Sequence, residues 1–284
     1  MSEKTKGVLA DVLIYAVAFA LGAIPFFVIG DIYAATAAFT ATATVVVFIA
    51  STALRDVSVY DPYWSVAPPV MLIFDIVKYR LWNVNSAILF ALVCVWAARL
   101  TGNWLSTYRG IGREDWRYAR YRAKLSAPMF LAVSFFGLHF VPTIVVYLGL
   151  CSAIGAMRTD VFAPLSAFGI AVMLAAVGLE LISDRAIHRF LRENAGKRRT
   201  CDVSVWRYSR HPNYLGEMSF WSGMYFYLLA VRPEKWYVGI GFLTIIALFL
   251  IVSIPMMERH NEERRADYAD YKKRTSMLLL LPRK

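Results

Sequence analysis

Long apolar runs separated by short polar breaks occupy most of this chain. About twenty consecutive apolar residues suffice for an α-helix to cross the ~30 Å hydrocarbon core of a bilayer. The third run is short for that core, so it tilts, re-enters or merges with its neighbour. The pattern predicts an all-α, polytopic transmembrane helical bundle of seven to eight spans. The runs are Ala10–Ile29, Ala34–Leu54, Ser65–Val77, Val84–Trp104, Pro128–Met157, Phe162–Leu181, Leu215–Ala230 and Trp236–Met257.

Composition agrees with this interpretation, since 58% of the 284 residues are hydrophobic and only 18% are charged. A net charge of +11 would be compatible with nucleic-acid binding. However, most of the 31 lysines and arginines fall in loops that would share one membrane face. That asymmetry follows the positive-inside rule and predicts that both termini are cytoplasmic, so a nucleic-acid partner is unnecessary. Three cysteines without a CxxC spacing indicate neither a disulfide framework nor a metal site.

Two polar stretches, Ser183–Asn194 and Glu258–Tyr271, are predicted to continue their apolar runs outward as cytoplasmic helices. From the end of the sixth apolar run into the first of these stretches, a polar residue recurs every four positions, at Glu180, Asp184, His188 and Arg192, which places the four in one stripe. A solvated face explains the last two, whereas Glu180 lies deeper among leucines and is a functional candidate. His260 and Arg264 form a similar pair in the second stretch, where a charged helix beside the membrane is the ordinary explanation.

The most informative stretch is Trp206–Glu217, which is basic and aromatic and leads directly into an apolar run. Pro212 suits the first position of a helix. The free N–H groups of that helix start, flanked by Arg207 and Arg210, favour an anion such as phosphate. A basic helix end facing anionic lipid would also explain the arginines. It would not explain Glu217, a carboxylate about one turn into the membrane segment.

A second candidate is Asp61, at the start of the third run. Asp61 could simply cap a helix whose first residue is Pro62. The pair Pro68–Pro69 is expected to interrupt that helix at membrane depth, which is tolerated only where the backbone is covered or lines a cavity. On these grounds, a helix cap and a functional site remain equally open interpretations of Asp61. Within the fourth run, Arg99 needs a polar partner or a route to the interface.

Three parts of the sequence together resemble a known protein family. They are Tyr208–Glu217, Asp61–Pro68 and an ending in which Glu258-Arg259-His260 precedes Tyr268 and Tyr271. From about Asp56 onward the chain resembles the steroid 5α-reductase and sterol reductase superfamily. The likeness is to its bacterial branch of DUF1295-type membrane proteins. The resemblance implies an enzyme of the bacterial cytoplasmic membrane. It would use NADPH to reduce a carbon–carbon double bond conjugated to a ketone, in a 3-oxo-Δ4 steroid or a related enone lipid.

The resemblance also implies roles along a single domain, 1–284. Residues 1–55 would form N-terminal spans, 56–127 the substrate side with an amphipathic loop, and 128–284 the cofactor-binding half. Asp61, kept protonated by an apolar site, and Tyr60 would polarise the ketone. Asn213, Glu217, Glu180, Asp184 and His260 match cofactor-contacting positions. The full expected cofactor set is Glu180, Asp184, Arg207, Arg210, His211, Asn213, Tyr214, Glu217, His260 and Arg264, and the substrate set is Trp64, Trp96 and Arg99.

The chain departs from the steroid enzymes at three places. Trp96 stands where they have a tyrosine bonded to the ketone, Met256 where they have a cofactor-binding arginine, and Tyr60-Asp61 where they have Gln-Glu. A related enone lipid is therefore an alternative substrate to a steroid. Isoprenylcysteine carboxyl methyltransferases, which bind S-adenosylmethionine, share the Arg-His-Pro element, and Glu262-Glu263 suits them better. A non-catalytic lipid-binding membrane protein is the third hypothesis. No protein partner is evident.

Overall fold

The computed structural model describes residues 1–283, and within that range it contains helices and no β-strand. Short 3-10 turns lie at Val57–Tyr60, Ser204–Arg207 and Pro233–Gly239, and π-helical segments at Val133–Phe140 and Leu248–Ser253. The all-α prediction is therefore confirmed. The α-helices are α1 (Glu3–Gly22), α2 (Pro25–Val28), α3 (Ile32–Leu54), α4 (Tyr63–Tyr79), α5 (Val84–Thr107), α6 (Trp116–Lys124), α7 (Ala127–Ala132), α8 (Val141–Met157), α9 (Ser166–Glu193), α10 (Pro212–Val231), α11 (Ile240–Ala247), α12 (Ile254–Arg264) and α13 (Tyr268–Arg274).

Six helical stretches in the described residues are long and apolar enough to cross a membrane, which is compatible with an integral membrane protein. The predicted count of seven to eight spans is not confirmed. The third and seventh runs do form helices, α4 and α10, but these are not among the six. α4 has only 17 residues, and α10 carries Asn213 and Glu217 among its apolar residues. The six stretches are Glu3–Val28, Ile32–Leu54, Val84–Thr107, Ala127–Met157, Ser166–Glu193 and Pro233–Arg264.

The expectation that Pro68 and Pro69 interrupt a helix is wrong, because α4 runs through both. Proline's fixed φ is compatible with a helix, and what is lost is a backbone hydrogen bond at each position. The preceding turn is reinforced, since Pro62 O accepts hydrogen bonds from Ser65 N and from the Ser65 hydroxyl. Pro68 itself is buried, so packing offsets the lost bonds. α4 begins at Tyr63, and its N-cap residue is Pro62 rather than Asp61.

The chain divides into two compact units, of which the first is Met1–Val161. α1 packs on α3 through an aromatic core in which the Phe19 ring stacks on Phe39 and on Tyr63, with centroids 5.9 and 6.0 Å apart. Gly22 allows this approach, because a Cβ there would lie 3.1 Å from Phe39 O. Close packing of this kind positions the turn Val57–Tyr60 and the start of α4, where Asp61 lies.

The second unit is Phe162–Lys284. α9 and α10 approach so closely that a Cβ on Gly169 would lie 2.7 Å from Gly223 O and from Tyr227 N. Small residues permit such backbone contact between membrane helices. α9 reaches Glu193 as one helix, which confirms the first predicted extension. The second predicted extension is broken, because α12 ends at Arg264 and α13 starts at Tyr268.

Candidate functional site

Asp61 is the centre of a polar cluster in the first unit. The Tyr118 hydroxyl donates a 2.5 Å hydrogen bond to Asp61 Oδ1, and Arg117 Nη2 lies 3.6 Å from the same oxygen. Arg117 is itself oriented by Asp115, whose Oδ1 accepts from Arg117 Nε at 2.7 Å. Two consecutive residues of α6 therefore hold the carboxyl group of Asp61.

The loop before α6 brings these residues to Asp61 by docking on the turn Val57–Tyr60. Asp56 Oδ2 accepts a 2.6 Å hydrogen bond from Gly112 N, and Asp115 N donates to Ser58 Oγ at 2.8 Å. Glu114 Oε1 accepts from Val57 N at 3.1 Å. These contacts attach the loop before α6 to the residues that precede Asp61.

The environment of Asp61 perturbs its protonation. Burial raises the pKa of Asp61 from 3.8 to about 6, while Arg117 and the hydrogen bond from Tyr118 hold it lower than burial alone would. The side chain is 20% exposed. Asp61 therefore exchanges its proton close to neutral pH, which is a property of many acid–base groups.

Tyr60 does not share the partners of Asp61. Its hydroxyl lies 2.7 Å from Thr143 Oγ1, which lies 3.1 Å from Thr44 Oγ1, and Thr44 donates to the Tyr63 hydroxyl at 3.3 Å. A hydroxyl has one proton to donate. Since Thr44 donates to Tyr63, Thr143 must donate to Thr44 and Tyr60 to Thr143. The proton of Tyr60 is therefore already used within this chain of hydroxyls.

The three residues expected to face the substrate lie on two helices of the first unit. Trp64 is half-buried on α4, Trp96 is fully buried on α5, and Arg99 is half-buried one turn further along α5. A 2.9 Å hydrogen bond between the hydroxyls of Ser65 and Thr101 joins the two helices next to them.

In the second unit, Arg210 is the centre of a cluster at the start of α10. Its Nε and Nη2 lie 2.8 and 2.7 Å from Glu258 Oε1, and Nη1 donates to Thr275 O and Lys272 O. Lys272 Nζ lies 2.9 Å from the other oxygen of Glu258. The side chain of Arg210 is only 9% exposed. Its donors are engaged inside the protein, which gives it a structural position rather than that of a free phosphate ligand.

His211 continues the same cluster. Its Nε2 lies 3.4 Å from Glu258 Oε1, and its ring stacks on Tyr214 with centroids 5.3 Å apart. Tyr214 in turn packs against Phe249 at 4.8 Å. Burial lowers the pKa of His211 below its ordinary 6.5, although Glu258 opposes the shift. His211 is therefore neutral at pH 7 and packs as an aromatic ring.

The C-terminal segment holds the backbone of this loop. The Tyr271 hydroxyl donates to Trp206 O at 2.5 Å and approaches Ser209 O at 3.2 Å. Arg210 N donates to Ser276 O at 2.9 Å. Tyr271, Glu258 and Lys272 were not assigned roles from the sequence. The available signal in the sequence was the recurrence of tyrosine, at Tyr268 and Tyr271, among charged residues. Both tyrosines are buried in the structure.

Two carboxyl groups lie at the contact between α9 and α10. Glu180 is fully buried and packs against Gly216, where a Cβ would lie 2.4 Å from Glu180 Cγ. Glu217 Oε1 accepts a 2.9 Å hydrogen bond from Trp221 Nε1. Asp184 is buried one turn beyond Glu180 on α9. The fold thus brings Glu180 next to Gly216 in the second turn of α10, three residues after Asn213.

The remaining predicted cofactor residues are more accessible. Asn213 is half-buried in the first turn of α10, and its amide has no hydrogen-bond partner within residues 1–283. Arg207 and Arg264 are exposed, and no side-chain ion pair forms at either within that range. His260 is half-buried on α12. Among the cations, Arg207 and Arg264 therefore offer free charge, in contrast to Arg210.

Comparison with protein families finds a model that matches the chain. The model described as protein of unknown function (DUF1295) matches residues 47–275, which is most of the chain. The chain belongs to the DUF1295 family. Both clusters of this DUF1295 protein, around Asp61 and around Arg210, lie within the matched range. Comparisons with curated proteins and with solved structures found no match.

Proposed function

We propose that this DUF1295 protein is a membrane-embedded, NADPH-dependent reductase of a carbon–carbon double bond conjugated to a ketone. Its substrate would be a 3-oxo-Δ4 steroid or a related enone lipid. The observation that carries the proposal is Asp61, a largely buried carboxyl group held by Tyr118 and Arg117 with a pKa near 6. The likeness of the Arg-His-Pro-Asn segment to reductases supports it. The protein would act in the cytoplasmic membrane with both termini on the cytoplasmic side.

The role of Asp61 follows from counting protons. When Asp61 is ionised, Tyr118 donates to it, and neither group is left to donate to a ketone. When Asp61 is protonated, it can donate a hydrogen bond to the ketone oxygen, where negative charge develops. Polarisation of the ketone therefore depends on the protonated form. Tyr118, rather than Tyr60, is the hydroxyl group beside this carboxyl.

The residues of the second unit fit an anionic dinucleotide. The amide of Asn213 is available, and Arg207 and Arg264 are exposed cations that would meet phosphates. When bound, NADPH would supply hydride to the β-carbon of the enone, and the enolate left by that transfer would take up a proton at the α-carbon to complete the reduction. Arg210 and His211 would act indirectly, by holding against Glu258 the loop that leads into α10, where Asn213 lies.

The first test is the identity of small molecules released from gently purified protein, measured by mass spectrometry. An NADP species supports the reductase. S-adenosylmethionine or S-adenosylhomocysteine would replace the proposal with methyl transfer. Consistent absence of any cofactor would favour a non-catalytic lipid-binding protein.

A second test separates the two roles. We expect Asp61→Asn to reduce turnover while leaving NADPH binding unchanged, because Asp61 acts on the substrate ketone. Asn213→Ala should lose NADPH affinity, since a half-buried amide contact is removed. Turnover of enone substrates and NADPH binding by fluorescence are measured on both variants. Unchanged turnover in Asp61→Asn would remove Asp61 from the mechanism.

One feature that favours the methyltransferase alternative has an ordinary explanation. Glu262, half of the Glu262-Glu263 pair, forms a 2.9 Å ion pair with Lys272. A surface ion pair of this kind needs no bound cofactor. The methyltransferase therefore stays an outcome of the cofactor measurement rather than a parallel proposal.

A further inference from the structure

A cavity of about 630 Å³ lies in the first unit, where α3 ends and α7 begins. This volume is within the range of small-molecule sites. Leu54 is the last residue of one membrane-compatible stretch, Ile32–Leu54, and Ala127 is the first residue of another, Ala127–Met157. If these two stretches cross a bilayer, their ends would place the cavity where the hydrocarbon core gives way to lipid headgroups.

One wall of the cavity is apolar and comes from α7 and from Leu125, two residues before that helix. Leu131 in this wall is 46% exposed, and its neighbour Met129 is exposed as well. The wall is therefore continuous with the outer apolar surface of the same helix. The wall consists of Leu125, Ala127, Pro128, Phe130 and Leu131.

Two arginines, Arg55 and Arg122, also line the cavity. Arg55 ends α3 in the left-handed conformation, with φ of 54°, and its exposed guanidinium has no side-chain hydrogen bond or ion pair within residues 1–283. Arg122 lies over the Phe130 ring, 4.2 Å from its centroid, and pairs with Glu114 at 2.7 Å. Glu114 supplies one negative charge beside the two positive charges of Arg55 and Arg122, so this part of the cavity has a net positive charge.

We infer that this cavity binds the headgroup of an anionic membrane phospholipid. The phosphate would be bound by Arg55 and by the edge of Arg122 that Glu114 does not use. The acyl chains would follow Leu131 onto the lipid-facing surface. A soluble anion would make no apolar contact with this wall, and a neutral lipid would leave the positive charge of Arg55 without a counter-charge. The site shares no residue with the proposed reductase machinery.

The test uses the full chain in micelles containing equimolar phosphatidylglycerol and phosphatidylcholine, with retained lipid counted by native mass spectrometry. We expect phosphatidylglycerol to be retained preferentially. Arg55→Asn should reduce that retention about fivefold, as expected for one cation near a charged headgroup. Asparagine tolerates the left-handed conformation, so the backbone is kept. The matched control is Arg80→Asn, because Arg80 ends α4 at the same φ of 54° but lies outside the cavity.

Thr52→Glu, compared with Thr52→Gln, provides a second pair of variants. Thr52 lines the cavity and is exposed, so both side chains can be accommodated, and only glutamate should repel the headgroup. Equal retention of the two lipids by the wild type would overturn the proposal. So would equal losses in the variants at Arg55 and Arg80. Displacement of the lipid by millimolar inorganic phosphate would identify a small-anion site instead.

Discussion

Replacement of Gly216 by alanine tests the contact between α9 and α10. The added Cβ would lie 2.4 Å from Glu180 Cγ and 3.0 Å from Ala176 O. Glu180 is fully buried, so its side chain cannot swing into solvent to make room. Overpacking of this kind costs about 1–3 kcal/mol.

A matched substitution separates this clash from the intrinsic preference of helices for alanine. Gly178 lies in the interior of α9, and a Cβ there would meet no atom within 4 Å. Alanine is favoured over glycine in a helix by about 1 kcal/mol, and both variants gain that amount. The difference between Gly216→Ala and Gly178→Ala therefore isolates the clash. At about 2 °C per kcal/mol for a chain of this length, Gly216→Ala should melt about 2–6 °C below Gly178→Ala.

The assay is thermal unfolding of the detergent-purified variants, followed by tryptophan fluorescence, with cofactor content measured on the same samples. Gly216→Ala should also reduce cofactor content if Glu180 contacts the cofactor, because Glu180 must move. A melting temperature for Gly216→Ala at or above that of Gly178→Ala would refute the packing argument.

Two further predictions concern the polar clusters. Tyr271→Phe leaves Trp206 O and Ser209 O without their hydroxyl partner and should cost about 1–3 kcal/mol; thermal unfolding measures the loss, and an unchanged midpoint would contradict it. Because the folded-state pKa of Asp61 is raised from 3.8 to about 6, wild-type stability should fall relative to Asp61→Asn as pH rises through that interval. Tyr118→Phe removes a bond that stabilises the carboxylate and so raises the folded-state pKa of Asp61, which should move only the upper limit of the interval to higher pH; parallel curves for wild type and Asp61→Asn would exclude this titration.

Much of the helical organisation could be predicted from the sequence because it is local. A run of about twenty apolar residues determines a membrane-compatible helix by its own length. Likewise, Pro212 was predicted at the first position of its helix and begins α10. The uninterrupted course of α4 is one exception, because the burial of Pro68 depends on the residues that surround it, and that is not a local property.

The contacts of the candidate sites were decided only by the tertiary structure. Asp61 is paired with Tyr118, which is 57 residues away, and the sequence offered Tyr60 next to it instead. The hydroxyl of Tyr60 instead forms a hydrogen bond with Thr143, which lies 83 residues further along the chain. Arg210 was predicted to bind an anion from its place at a helix start, yet Glu258 engages it. The sequence alone determined which charged groups the chain carries, and long-range packing determined which of them remain free, because partners distant in sequence leave no local pattern.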